Sequence, residues 1–378
     1  MGIVIYNQMA LNYHTYREIK QQPRVWKEAF ETVCKRKDEI SSFIHSYIGK
    51  GYSVVLTGAG TSAYIGDALE CALRDTLLKG AAAIATTDII TAPEIYFGKD
   101  SKVLLISFAR SGNSPESIGA IKAVEQTAGS VAHVFITCNA EGELAKRQGD
   151  NILCLLLPPE TNDLSLAMTS SYSTMFLVCS MIADIDSVEA DRPHIEALAD
   201  AVEKAMDKYE DAINDIAQRP FHRAIFLGSG ALKGVAEEGR LKLQELTDGA
   251  VMCAYDSFLG FRHGPKAVVH EDSMLVYFVS PDPKVRRYEM DLIGQIAEHN
   301  KVTATVAVCQ KDHGLKGMDL LVELGIPEDM PARYSSVGFI FVAQMLGCFK
   351  SMAIGLCPDT PSVSGNISRV VEGVTLYI

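Results

Sequence analysis

The sequence lacks most of the markers that would place it at once. Its nine cysteines, at positions 34, 71, 138, 154, 179, 253, 309, 348 and 357, form no C-x-x-C pair. An odd, scattered set inside apolar runs excludes a disulfide framework and predicts reduced core thiols. None of the nine histidines falls in an H-x-x-x-H or H-E-x-x-H pattern, so no metal site is predicted. Basic residues are short: the formal net charge of −12 argues against a nucleic-acid-binding surface, though not against a local pocket for a small anion. No apolar run reaches the length of a membrane span. The nearest, Val337–Phe349, contains Gln344 and is followed by Lys350, so it is expected to be a buried helix. The start, Met1 to Asn7, lacks a charged region and a cleavage site, so a cytoplasmic protein without a signal peptide is expected. Tryptophan occurs once, at Trp26, on the same predicted helical face as Phe30, with Pro23 near the helix start. That segment shows no chemistry.

What is present is a chain of 378 residues with 48% hydrophobic content, enough for two domains with their own cores. Short apolar runs such as Ser53–Thr57, Val103–Ile106, His133–Thr137 and Ile152–Leu157 do not alternate with polar residues, and helical patterns separate them. Such strands belong to parallel sheets covered on both faces. The pattern then repeats. Leu56-Thr57-Gly58-Ala59-Gly60 matches Phe226-Leu227-Gly228-Ser229-Gly230 at an offset of 170 positions, and later strands follow in the same order. The expected fold is α/β, with two tandem doubly wound α/β/α sandwiches, each built on a parallel sheet. The expected organisation is a helical segment at 1–35, a first domain at 36–190, a linker helix at 191–215 and a second domain at 216–378.

The two copies differ in their loops. Ile106–Ser117 reads I-S-F-A-R-S-G-N-S-P-E-S, a strand end, a polar loop and a helix start capped by Ser114 with Pro115 in the first turn. Free N–H groups at a helix N-terminus, with Arg110, Ser111, Asn113 and Ser114 around them, suit a phosphate. Gly60-Thr61-Ser62 and Thr169-Ser170-Ser171 bring further hydroxyls to a strand end and a helix start. In a doubly wound sheet those ends share one edge. The second copy has Ala231-Leu232 after its glycine loop and Pro281-Asp282-Pro283 after Ser280, so a phosphate belongs to the first copy. Gly58-x-Gly60-x-x-Ala63 also fits a relaxed dinucleotide fingerprint, but the acidic residue such a site needs has no good counterpart; Asp88 lies too far along.

The second copy carries acid–base candidates. Glu238, Lys242 and Glu245 share a helix face at spacings of four and three. A solvated ion-paired stripe is the usual explanation of that pattern. His263, in the glycine-bounded loop Phe258–Lys266, either makes a local hydrogen bond or moves protons near neutral pH.

Taken together, G-A-G-T-S, S-G-N-S-P-E-S, the R-L-K-L-Q-E helix and F-R-H-G-P resemble the sugar isomerase (SIS) fold, and most of all its AgaS branch of amino-sugar catabolism. The likeness runs from about Gln21 to the C-terminus, and the second half is also similar to the isomerase half of glucosamine-6-phosphate synthase. The resemblance implies deamination with isomerisation of galactosamine 6-phosphate, giving tagatose 6-phosphate and ammonia without a cofactor. It places Ser62, Ser111 and Ser114 on phosphate-binding hydroxyls and Thr169 near a sugar-contacting serine. Glu245 falls on the base that moves a proton between C1 and C2, Lys242 near the open-chain sugar, and His263 on the ring-opening residue, often supplied by a neighbouring subunit. A homo-oligomer, dimer or tetramer, is therefore expected. Two departures stand out: Ala109 replaces a phosphate-loop serine, and Arg369 stands where the synthase has its catalytic lysine. Arginine stays protonated and forms no imine under ordinary conditions. Two further readings remain: an isomerase or fructosamine-phosphate deglycase without ammonia release from an aldose, and a non-catalytic sugar-phosphate regulator. A regulator with a DNA-binding arm wants a basic helix-turn-helix, and residues 1–35 are too short and mixed in charge.

Overall fold

Five apolar runs in each half of the chain become five parallel strands. The computed structural model describes residues 9–370 and 373–377. In the first half these are β1 (Ser53–Thr57), β2 (Ala82–Ala83), β3 (Lys102–Ala109), β4 (Ser130–Thr137) and β5 (Ile152–Leu156). They pair in the order β2-β1-β3-β4-β5. In the second half are β6 (Arg223–Leu227), β7 (Met252–Asp256), β8 (Ser273–Phe278), β9 (Ala304–Cys309) and β10 (Leu320–Glu323), in the order β7-β6-β8-β9-β10. The two orders are the same, and both are doubly wound, so the expected α/β architecture of two parallel sheets is what the chain adopts. Nearly every residue of β3 and β8 is buried, which is why those strands show no alternation.

The chain divides into two compact units that are not contiguous in sequence. One holds the first sheet and comprises Arg24–Asp163, Ser170–Ile195 and Ser368–Ile378; the other holds the second sheet and comprises Met1–Pro23, Leu164–Thr169 and Glu196–Ile367. In the first-sheet unit a core of Val103, Leu105, Ala120, Ile121, Val124 and Phe135 packs one face of the sheet. Trp26, on the helix Gln22–Lys35, is fully buried there and its indole Nε1 donates to Ser173 Oγ at 2.9 Å. In the second-sheet unit Leu227, Phe258, Phe261, Leu275, Tyr277 and Leu292 form the corresponding core.

Several elements differ from the sequence pattern for local reasons. The helix expected over Tyr64–Leu78 spans Thr61–Ala72 instead. It starts at once after Gly60, whose φ of 55° reverses the chain into the first turn. It stops because Thr76 captures backbone groups, donating to the Leu73 carbonyl at 2.6 Å and accepting from Leu78 N at 3.2 Å. The linker helix is longer than its charged stretch suggested, at Arg192–Gln218. The apolar stretch Ala332–Ala353 has the length and composition of a membrane-crossing helix, but 89% of its apolar window lies buried inside the protein, as expected for a core helix. All nine cysteines are free; Cys138, Cys179, Cys309 and Cys348 are buried, while Cys71 and Cys357 are exposed.

Candidate active site

The loops after β1 and β3 leave the same sheet edge, because these strands are hydrogen-bonded neighbours with Thr57 paired to Ser107. After β1, Gly60 adopts φ 55° and ψ −127°, a conformation costly for a side chain, and points the first turn of Thr61–Ala72 at that edge. Thr61 and Ser62 lie in this first turn, both largely buried. After β3, the helix Pro115–Thr127 is capped by Ser114, whose Oγ accepts from Ser117 N at 3.2 Å and sits 2.7 Å from Ser117 Oγ. Ser111 Oγ accepts from Asn113 N at 3.3 Å. These are two helix N-termini with hydroxyls beside them on one edge, an arrangement that attracts an anion.

Not every expected ligand faces that edge. Asn113 braces the neighbouring loop, its Oδ1 accepting from Glu143 N at 2.8 Å. Arg110 is only 7% exposed, and its Nη2 donates to the Arg369 carbonyl at 2.7 Å. Ser170 and Ser171, at the start of the helix Ser170–Ala183, are fully buried and spend their hydroxyls on Asp163. Thr169, in the other unit, is also buried, and its carbonyl accepts from Gln344 Nε2 at 3.4 Å. Asp163 was not singled out from the sequence; the signal available was an Asp in a polar loop seven positions before a serine pair that opens a helix.

In the second-sheet unit the helix Ala231–Leu246 carries the acid–base candidates. Glu238 and Lys242 are both 0% exposed, so the solvated-stripe reading is excluded. Lys242 Nζ lies 3.2 Å from Glu238 Oε1 and donates to Glu245 Oε1. Burial pulls the Lys242 pKa down, but the two carboxylates outweigh it and hold the ammonium above the ordinary lysine value. Gly347 makes this burial possible. A Cβ there would stand 3.0 Å from the Lys242 carbonyl, so its absence lets Ile340–Ala353 close over this turn. Glu245 is the cluster's most exposed member, with its side chain 14% accessible. A carboxylate oriented by a buried ammonium, with one edge reachable, is suited to proton abstraction. Lys242 itself, expected near the sugar, is enclosed between the two glutamates.

His263 follows the short helix Phe258–Phe261, which Ser257 caps through Gly260 N at 3.0 Å. Phe258 and Phe261 are buried and anchor the loop, while His263 is exposed at its tip. Among the described residues, no group of three or more His, Cys, Asp or Glu side chains is placed to hold a metal ion.

The second sheet carries a counterpart of the first glycine loop. Gly230 has φ 59° and ψ −129°, close to Gly60. There Glu289, fully buried, accepts from Ser280 N at 2.8 Å and is hydrogen-bonded by Ser229. Burial pushes the Glu289 pKa up, against these hydrogen bonds. A side-chain carboxyl group thus fills the strand-end position of the second copy.

Known proteins are similar to this chain over nearly its whole length. The SIS domain family matches residues 47–184. An AgaS protein of Streptomyces coelicolor is 40% identical over 96% of this chain and 95% of its own length. The D-galactosamine-6-phosphate deaminase AgaS of a Shewanella species is 37% identical, covering 97% of this chain and 92% of its own. The chain belongs to the AgaS family. The crystal structure of tagatose-6-phosphate ketose/aldose isomerase from Escherichia coli superposes with a TM-score of 0.89 at 32% identity, over 98% of this AgaS chain and 97% of that one. The C-terminal domain of glucosamine-fructose-6-phosphate aminotransferase from Francisella tularensis shares the fold, with a TM-score of 0.74 at 15% identity. The chain is thus a tandem SIS protein of the AgaS family, the group of sugar-phosphate deaminases and isomerases.

Proposed function

We propose that the chain converts galactosamine 6-phosphate to tagatose 6-phosphate and ammonia. The observation that carries this reading is the buried Glu238–Lys242–Glu245 cluster with only Glu245 reaching the surface, in a chain 37% identical to a D-galactosamine-6-phosphate deaminase. The phosphate is assigned to the first-sheet unit, where the Gly60–Ser62 turn and the hydroxyls of Ser111 and Ser114 lie at helix N-termini.

The chemistry follows from the substrate. His263, exposed on its loop, assists opening of the ring to the aldehyde and in this reading reaches the sugar of a neighbouring copy, which makes the protein a homo-oligomer. Glu245 takes the proton from C2. The electron pair left behind forms a C1–C2 double bond while the carbonyl pair moves onto oxygen, which takes a proton from water, giving an enolamine with the hydroxyl on C1 and the amine on C2. Return of the proton to C1 leaves a ketimine at C2, and water adds there to release ammonia and the ketose. Lys242 orients Glu245 and does not touch the sugar. The amino group and the carbonyl activate C2 themselves, so the route asks for no cofactor, and the cytoplasm, where sugar phosphates are kept, is the fitting compartment.

A second reading has one specific support, the similarity to an Escherichia coli tagatose-6-phosphate ketose/aldose isomerase. Both reactions use the same C1–C2 proton transfer, and only the fate of the C2 substituent differs. An ammonia-release assay with galactosamine 6-phosphate and glucosamine 6-phosphate separates them. Ammonia from the first, with tagatose 6-phosphate as co-product, is the expected result; ammonia from neither would exclude the deaminase.

A further inference from the structure

Arg110, expected beside the phosphate, and Arg369, which stands where the synthase has its catalytic lysine, both donate to the protein's own backbone. In the first-sheet unit, Arg369 donates from Nε to the Asp163 carbonyl at 2.9 Å, and from Nη2 to the same carbonyl at 2.5 Å. The same Nη2 donates to Asn162 Oδ1 at 3.0 Å. Its own carbonyl accepts from Arg110 Nη2 at 2.7 Å, across 259 positions of sequence. Arg110 immediately precedes Ser111, Asn113 and Ser114. On the other side, the buried Asp163 carboxylate accepts four hydrogen bonds. Oδ1 takes Ser170 N at 3.2 Å and Ser170 Oγ at 2.5 Å; Oδ2 takes Ser171 N at 3.0 Å and Ser171 Oγ at 2.6 Å.

Each link restrains the next. A carboxylate that accepts two N–H and two O–H groups is fixed in position. Its residue's carbonyl is therefore a fixed target for the planar fork of Arg369. The C-terminal segment needs such an anchor, since residues 368–370 and 373–377 contain no helix or strand. Once anchored, that segment offers its carbonyl to a guanidinium only 7% exposed.

We infer that Arg369 and Asp163 are positioning residues: they clasp the C-terminal segment onto the first-sheet unit and, through Arg110, set the shape of the anion-binding turn. Neither touches the substrate. This goes beyond a binding role for Arg369, and it rests on the phosphate-binding reading of that turn.

The test compares Arg369→Ala, Arg369→Lys and Asp163→Asn with the wild-type chain. Three quantities are measured: kcat and KM for galactosamine 6-phosphate, the Kd of inorganic phosphate by calorimetry, and the melting temperature. Arg369→Ala should raise KM and the phosphate Kd together by about tenfold, with kcat changed by less than about threefold, since one clasped hydrogen-bonding group is worth about that much. Arg369→Lys should recover part of the loss, because it keeps the charge without the fork. Asp163→Asn, which turns one acceptor into a donor facing a serine, should weaken phosphate in the same direction. A fall in kcat with KM and phosphate Kd unchanged would make Arg369 a catalytic residue and overturn the inference. Unchanged values throughout would overturn it too. If the wild type turns over neither amino-sugar phosphate, the activity assignment fails, while the phosphate Kd comparison still decides the clasp. If Arg369→Ala does not fold, the graded order of the lysine and asparagine variants decides it.

Discussion

Replacing Lys242 by Met keeps the length and apolar stem of the side chain and removes one charge. The ammonium lies 3.2 Å from Glu238 and contacts Glu245, with Lys242 and Glu238 fully buried. At that separation and an effective dielectric of about 20, the attraction to Glu238 is about 5 kcal/mol. Removing one partner of a buried pair leaves an uncompensated charge and costs about 3–5 kcal/mol, a large part of the roughly 5–15 kcal/mol that stabilises a domain. The pH dependence fixes the sign. In the wild type the raised Lys242 pKa means its contribution is fully present below the ordinary lysine value and is lost only as pH rises through the raised one. It is therefore flat across neutral pH. In Lys242→Met the two carboxylates repel and bind protons more readily when folded, so their penalty is full above their raised pKa. It disappears as pH falls into the ordinary carboxylate range. Urea unfolding at several pH values should show a deficit at pH 7 that narrows on acidification. Glu238→Gln added to Lys242→Met should recover most of it. A deficit below about 1 kcal/mol at neutral pH, or one independent of pH, would refute a charge-paired cluster.

Glu245→Gln should lower turnover by at least about a hundredfold while leaving substrate affinity within a few-fold, read from initial rates and calorimetry; equal loss of both would mean a structural role. His133, buried on β4, has its pKa pulled down to about 4 by burial, which outweighs the nearby Glu125 carboxylate. Its neutral form belongs to the folded state, so stability fully present above the ordinary histidine pKa is lost as pH falls below it toward about 4. His133→Leu should flatten this decline, worth up to about 3 kcal/mol, in unfolding curves between neutral and acidic pH; an unchanged slope would clear His133 of it. Ser114→Ala removes the cap of the Pro115–Thr127 helix, costing about 1 kcal/mol of stability, and should also raise KM with kcat little changed; both readouts follow from one purified variant.

The architecture was legible because both-face burial removes alternation, and β3 and β8 show this over their whole lengths. The cap at Ser114 and the turn at Gly60 were legible because each depends on residues within three positions. Burial of a helix face was not. Glu238, Lys242 and Glu245 have the spacing of a surface ion-pair stripe, and the close approach of another helix at Gly347 to the Lys242 backbone does not show in that spacing. Long-range commitments were invisible as well. Arg110 reads as a cation beside a phosphate loop, yet one of its acceptors is a carbonyl near the end of the chain. Ser170 reads as a free hydroxyl, yet Asp163 takes it. A local pattern gives the groups a loop contains; what each group already holds depends on segments far away in sequence.

Glu289 bears on stoichiometry. The glycine loops of the two sheets have the same backbone, but beside the second the chain supplies its own carboxyl group, held by Ser229 and Ser280. That half already holds a carboxyl group beside its glycine loop. An anion titration should therefore saturate at one per chain.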